Sequence, residues 1–475
     1  MQNSNNKLLD FFRKKRLIII FISTIVLINT SIYLITNKNG IPDIQARKDA
    51  SGFSMDKAKH FSYFYYYTGN FPLATLNGKN LKYNKEAAYK EIETNGKDLI
   101  MEYKHWSRLG ENARILAFLP NAYLKASPEN PSIRLFNAII FSISLIIIFL
   151  GFHKIGKTKT GILLALLINA TPFFLYETYT NTNIFALLGS SFFIVLGLNL
   201  PILFSKKSNP FYIVITAIIS SIILGFFSEI RNEISVVLVS LILIYVLLKN
   251  VNILSKIILL SLIIISFNST KKIVRNYFNA KFEKTAKLVE KHKGHVYNGD
   301  RISGHKFWHP VFCGLGDFDK KYGYQWNDKV AYRYAVPFLN EKYGYDFTYI
   351  NSNRTNKFYD EDKLYYIKYD EIEEYEEVVK DKVLSDIQKD PFWYITIIIK
   401  RIVRTLSTTI PIPYAGWLIF PLLVFLFKRK KWDYIKLLII SLPLSVTSIL
   451  IYSGNGSTYN SVFVYIVLII VIIVL

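Results

Sequence analysis

Long apolar runs constrain this chain more than any other feature. Residues 17–34, 135–152 and 462–475 are almost free of charged side chains, and similar runs recur between 160 and 268 and after 412. About 20 mostly apolar residues cross a bilayer core of roughly 30 Å. The expected fold is therefore an all-α polytopic membrane protein. It has about ten transmembrane helices and two large external loops that carry interfacial helices.

The charge fits that reading once it is located. The chain has 475 residues and a formal net charge of +23, which by itself would suit a nucleic-acid partner. Yet segment 269–390 holds 22 Lys+Arg and 20 Asp+Glu, close to neutral. The excess lies beside the apolar runs, where Lys and Arg keep loops on the cytoplasmic side. No nucleic acid is expected. Aromatic residues at 16% exclude a disordered chain, and the single cysteine, Cys313, excludes a disulfide framework.

Topology follows from the same charges. Residues 1–16 form a basic tail with Lys7 and Arg13-Lys14-Lys15-Arg16, and 17–36 reads as an uncleaved transmembrane signal anchor with a cytoplasmic N-terminus. Segment 37–133 is the first external loop. Transmembrane helices 2–7 occupy 134–268, with runs at 135–152, 160–177, 184–204, 209–228, 234–249 and 252–268. Their inner turns carry Lys154, Lys157, Lys159, Lys206, Lys207, Lys249 and Lys256. Segment 269–411 is the second external loop, and helices 8–10 fill 412–475, with Lys428-Arg429-Lys430-Lys431 inside.

Stretch 391–406 begins well as a helix, with Asp390 as N-cap and Pro391 at the first position. As a span it would place Lys400, Arg401 and Arg404 near mid-membrane, at roughly 2.5–3.5 kcal/mol each. It is read instead as an amphipathic interfacial helix. Within the loops, helices are expected near 54–67, 84–105, 270–292 and 370–389. The last has Ile372, Tyr375, Val379, Val383 and Ile387 on one face.

Four features bear chemistry. Asp43 and Asp49 follow the first span; a carboxylate there can serve as general base toward a hydroxyl, or cap a loop. Arg231 lies between Glu229 and Glu233 in a short turn, suited to phosphate or to a local ion pair. The stretch 304–319 contains His305, Trp308, His309, Asp317 and Asp319. Its histidines supply too few ligands for zinc, Gly304 and Pro310 oppose a helix that would align them, and Asp317 and Asp319 suit a hard divalent cation. No metal ligand set is assigned, and a divalent cation is kept only as a possible cofactor. Glu177 is a lone acid near a span end. No Walker loop, dinucleotide fingerprint or nucleophile elbow is present, and the spans hold almost no ionisable residues of the kind a proton-coupled transporter needs.

The serial order of these parts resembles the GT-C superfamily of membrane glycosyltransferases, the group that includes the protein mannosyltransferases and the aminoarabinose transferase of lipid A. Asp49-Ala50-Ser51-Gly52-Phe53 resembles the opening of their first external loop. Pro131-Ser132-Ile133-Arg134-Leu135-Phe136-Asn137 is similar to the start of their second span, and Asn169-Ala170-Thr171-Pro172-Phe173-Phe174 to the end of their third. Gly225 with Ile230-Arg231-Asn232-Glu233 resembles a turn that often carries an arginine. Asp390-Pro391-Phe392-Trp393-Tyr394 resembles the interfacial helix before their later spans. The acids of the first loop are often adjacent in that superfamily, whereas Asp43 and Asp49 are six apart.

The resemblance implies an enzyme of the bacterial cytoplasmic membrane with its large loops periplasmic. Its partners would be the lipid bilayer, a polyprenyl-phosphate-linked sugar and a glycan, lipid or protein acceptor. An inverting attack would use Asp49, then Asp43, as base, with Arg231 and Glu229 at the donor phosphate. Three other readings stand beside it. One is an O-antigen polymerase or ligase using Arg301, Arg333 and Arg354. Another is a non-catalytic scaffold or flippase-like protein. The third is a metal-dependent lipid phosphotransferase using His305 or Asp317.

Overall fold

A computed structural model describes residues 2–38, 74–76, 81, 85–101, 113, 116–117, 119–124, 133–179, 186–205, 209–249, 251–296, 307–345, 356–360, 363–367, 373–407 and 413–450. Asp43, Asp49, His305, Arg301 and Arg354, the stretch 54–67 and the run 461–475 lie outside them.

The described chain is almost wholly helical. Helices α1 (Gln2–Lys38), α2 (Lys85–Asn95), α3 (Leu119–Tyr123), α4 (Arg134–Lys154), α5 (Thr158–Ala170), α6 (Pro172–Tyr179), α7 (Ala186–Phe204), α8 (Pro210–Ile230), α9 (Ser235–Val246) and α10 (Ile253–Lys291) come first. After them come α11 (Trp308–Leu315), α12 (Asp328–Tyr343), α13 (Glu373–Lys389), α14 (Pro391–Ser407), α15 (Ile419–Lys428) and α16 (Trp432–Leu450). Strands β1 (Ala74–Leu76) and β2 (Leu99–Met101) form one antiparallel pair, and β3 (Asn356–Asp360) and β4 (Lys363–Ile367) another.

Among the described residues, five helices are long and apolar enough to cross a membrane by length and composition: Arg16–Thr36 within α1, α4, Leu187–Phe204 within α7, α8 and α10. Many of their apolar side chains point away from the protein, among them Leu27, Ile257 and Ile265, as expected where lipid covers a helix face. Three shorter apolar helices, α5, Asn232–Val246 and Ala415–Lys428, stand where full spans were expected. The expected span 160–177 is broken at Thr171, whose extended backbone (ψ 122°) precedes Pro172; proline disfavours a helical residue before it. The described residues thus contain five long apolar helices, and the expected span 461–475 lies outside them.

One core runs through the bundle α1, α4, α5 and α7–α10 and reaches α15 and α16. Helices α4 and α7 cross with backbones in contact. A Cβ on Gly197 would lie 2.6 Å from the carbonyl oxygen of Ile147, and one on Gly151 would strike Gly197. Small residues permit such approach between apolar helices. Buried polar groups join α7, α8 and α9: Asn199 Nδ2 donates to Ser220 Oγ at 2.9 Å, and Tyr245 OH donates to Asn199 Oδ1 at 2.9 Å. Tyr179 OH donates to Asn29 Oδ1, tying α6 to α1.

The lysine-bearing turns gather at one end of the bundle. Lys154, Lys157, Phe204, Ser205 and Tyr434 line one cavity, Lys154 Nζ sits 3.9 Å over the Tyr212 ring, and Lys249 lies 3.9 Å from Asp433.

A second core joins α11, α12, α13 and the start of α14, with Phe312, Leu315, Tyr324, Tyr332, Leu339, Tyr375, Val379, Val383, Trp393 and Ile397 buried. Three expectations change here. The helix expected at 270–292 is the second half of α10, because nothing between 253 and 291 is proline or glycine. The one expected at 84–105 stops at Asn95, where Gly96 runs against His292; a Cβ there would lie 2.7 Å from the His292 ring. Pro310 lies inside α11 and not beyond its end, since a proline in the first turn removes no intrahelical bond.

Candidate functional site

The packing of α8 on α10 builds a charged cluster. A Cβ on Gly225 would lie 2.7 Å from the Phe267 carbonyl oxygen and 2.9 Å from Thr270 Cβ, so only glycine lets the helices approach so closely. One turn further on, Glu229 meets the polar half of α10. Its carboxylate is fully buried; Oε1 accepts from Arg275 Nε at 3.0 Å and lies 3.7 Å from Lys271 Nζ. Beyond α8 the chain turns extended at Arg231, and Arg231 Nη2 donates to Glu233 Oε1 at 2.8 Å. Arg231 thus makes a local ion pair with Glu233, while Glu229 turns to α10.

From this cluster an open cavity of about 400 Å³ runs along α10, lined by Asn268, Lys271, Lys272, Arg275, Asn276 and Asn279. These fall at i, i+3, i+4, i+7, i+8 and i+11, one face of one helix. They begin where its apolar half, 253–267, ends. Three cations and three amides form a surface for an oxyanion bearing hydroxyl groups: Arg and Lys neutralise phosphate, and amides both donate and accept. Lys271, Lys272 and Arg275 were missed in the sequence, where 270–292 was read from its apolar positions. The polar stripe interleaved with them was the available signal.

The other candidates divide between structural roles and a separate cluster. Asp317 is buried and paired with Arg404 Nη2 at 2.6 Å and Arg401 Nε at 3.5 Å. Asp319 Oδ1 accepts from the Lys321 amide at 3.0 Å and from Trp393 Nε1 at 3.3 Å. Their carboxylates thus anchor α14 to the second core. Arg401, expected at a membrane surface, is itself buried, and its Nη1 donates to the carbonyls of Ile449 and Leu450. The outward side of α14 is instead apolar, with Phe392, Ile395, Ile399 and Val403 exposed.

Trp308 and His309 open α11, and Glu376 of α13 caps them, accepting from the Trp308 and His309 amides at 2.9 and 3.2 Å. The buried His309 ring stacks on Tyr332 and meets Tyr375 OH through Nδ1 at 2.5 Å. It is not joined by Asp317 or Asp319 but by Cys313, noted in the sequence only as the single cysteine, and by Asp328. Glu177 lies on α6.

No protein-family model, curated protein or solved structure matches this chain.

Proposed function

We propose that the chain is an integral membrane glycosyltransferase that moves a sugar from a polyprenyl-phosphate donor to a cell-envelope acceptor, with inversion. The observation that carries this reading is the cationic and amide-bearing face of α10, which starts where the helix stops being apolar. A polyprenyl-phosphate sugar has the matching order of parts: an apolar tail, an anionic joint and a hydroxylated head. The apolar outward side of α14 supports a place at the membrane surface for the second core. The gathering of lysine-bearing turns at the bundle's other end supports a cytoplasmic N-terminus and outward-facing large loops in a bacterial inner membrane.

In this mechanism the acceptor hydroxyl oxygen attacks the anomeric carbon. The bond from that carbon to the phosphate oxygen breaks, and the hydroxyl proton passes to Asp49, with Asp43 the second choice as base. The leaving phosphate departs as an anion and needs fixed positive charge. Lys271, Lys272 and Arg275 supply it, with Arg231 and Glu229 shaping the cluster beneath them.

Sugar transfer in isolated membranes tests the whole reading: Asp49→Asn abolishes it while the protein still accumulates. Full activity in both Asp49→Asn and Asp43→Asn rejects the assignment of the base. Binding that is equal for polyprenyl phosphate and for the free polyprenol rejects the α10 face as a phosphate site.

A further inference from the structure

We propose that His309, Cys313 and Asp328 bind one divalent transition-metal ion, of which zinc is the type, with a fourth coordination position open to solvent. The site belongs to the second core and goes beyond the transferase reading.

The argument is first geometric. His309 Nε2 lies 3.3 Å from Asp328 Oδ1 and 3.8 Å from Cys313 Sγ, and that sulfur lies 3.9 Å from Asp328 Oδ1. Metal–ligand distances of about 2.05 Å to nitrogen, about 2.1 Å to oxygen and about 2.3 Å to sulfur, at tetrahedral angles, require edges of about 3.4 Å between N and O and about 3.6 Å from S to either. The three observed separations come within a few tenths of an ångström of one triangular face of that tetrahedron.

The connectivity points the same way. In a cysteine–histidine–aspartate relay the acid and the thiol use opposite ring nitrogens, so that a proton can cross the ring. Here both converge on Nε2, and Nδ1 is taken up by Tyr375 OH. Convergence on one point suits an ion. An outer partner on the remaining nitrogen is what a metal-binding histidine ordinarily has, fixing its orientation.

The framework that holds the three side chains has its own hydrogen bonds. His309 and Cys313 stand one turn apart on α11, whose first turn Glu376 holds by two hydrogen bonds. Asp328 is the first residue of α12, capped by Asn327 through the Lys329 amide. His309 and Cys313 are buried, while the Asp328 side chain is 38% exposed; the fourth position opens on its side. One imidazole, one thiolate and one carboxylate favour zinc, cobalt or ferrous iron over magnesium or calcium.

Cobalt titration of the purified full-length protein, without a histidine tag and stripped by chelator, is decisive. We expect a near-ultraviolet thiolate-to-cobalt charge-transfer band with strong tetrahedral visible bands, saturating at one equivalent and displaced by zinc. Cys313→Ser removes the charge-transfer band, and Asp328→Asn weakens cobalt binding at least tenfold. Absence of the band from the wild-type protein, or its persistence in Cys313→Ser, overturns the proposal. Because Cys313 is the only cysteine, alkylation gives a second readout that needs no variant. Zinc slows it at least tenfold; an unchanged rate overturns the site.

Discussion

Glu229 of α8 and Arg275 of α10 meet at 3.0 Å with the carboxylate wholly shielded from solvent. The pair ties the two helices together just beyond their contact at Gly225. Removing Glu229 leaves Lys271 and Arg275 without their shared counter-ion; Arg275 is about a third exposed, so the cost falls below the roughly 3–5 kcal/mol of a fully buried pair. Glu229→Ala should therefore lower the unfolding temperature in detergent, and Glu229→Gln, which keeps an acceptor for Arg275, should lower it less. Equal and small shifts would mean that the pair contributes little to α8–α10 packing.

The cations of α10 make a second prediction, read as binding and not as stability. Lys271→Gln and Arg275→Gln should each weaken binding of polyprenyl phosphate about tenfold, equivalent to about 1.4 kcal/mol, with a further loss in the double variant. Raising salt should erode the wild-type affinity more than that of the variants. Arg333→Gln, at an exposed position of α12, should leave this binding unchanged; a loss of glycan chain length in that variant would favour the polymerase reading instead.

Asp390 provides a pH test. Its carboxylate accepts from Lys321 Nζ and from the Trp393 amide at 3.0 Å, capping α14. The Lys321 bond first, and the cap second, hold the carboxyl below its usual range, and the same Lys321–Asp390 bond raises the lysine. A depressed acid stabilises above its unfolded pKa of about 4 and loses that contribution as pH falls; a raised lysine stabilises below about 10.4 and loses it as pH rises. The pair is thus fully engaged from about pH 5 to about pH 9. Asp390→Asn keeps a good cap but not the ion pair. Its unfolding temperature should lie below wild type in that window and converge with it in acid. A gap that persists unchanged well below pH 4 would contradict this.

Helix contact at Gly151 and Gly197 predicts a steric penalty. Gly197→Leu must push α7 off α4, and overpacking of a close contact typically costs about 1–3 kcal/mol or more. Reduced accumulation in membranes and a lower unfolding temperature are expected, and Gly156→Leu, which meets nothing in space, separates crowding from simple loss of glycine. Gly156 has φ +77°, so some strain is expected there, but less than at the crossing. Equal effects at both positions would argue against the close contact.

What the sequence could reveal depended on how local the signal was. Apolar runs announced α1, α4, α7 and α8 because a span is written in consecutive residues. The helix at 373–389 was legible because Tyr375, Val379 and Val383 repeat at helical spacing. The break at Thr171-Pro172 was written in one residue pair, yet the apolar run passed over it unbroken. The partners of His309 were hidden for a different reason. Cys313 lies one turn away inside an apolar stretch, and Asp328 stands at the start of another helix, so only tertiary packing assembles them. Asp317 was misleading in the opposite sense: its partners, Arg401 and Arg404, are more than eighty residues away.

Helix α10 runs unbroken for 39 residues, roughly 58 Å at 1.5 Å per residue, about twice the thickness of a bilayer core. A short turn, 292–294, leads from its far end to His295, whose amide donates to the Leu99 carbonyl at 2.7 Å and whose carbonyl accepts from the Met101 amide at 2.8 Å. The helix is therefore a lever with its fulcrum in the apolar bundle and its tip clamped to β2. A change of about 10° in the tilt of its apolar half would swing that tip by roughly 6 Å, given the rise per residue of the polar half. Bilayer thickness, which sets such tilts, would in this way reach β2 through its contact with α10.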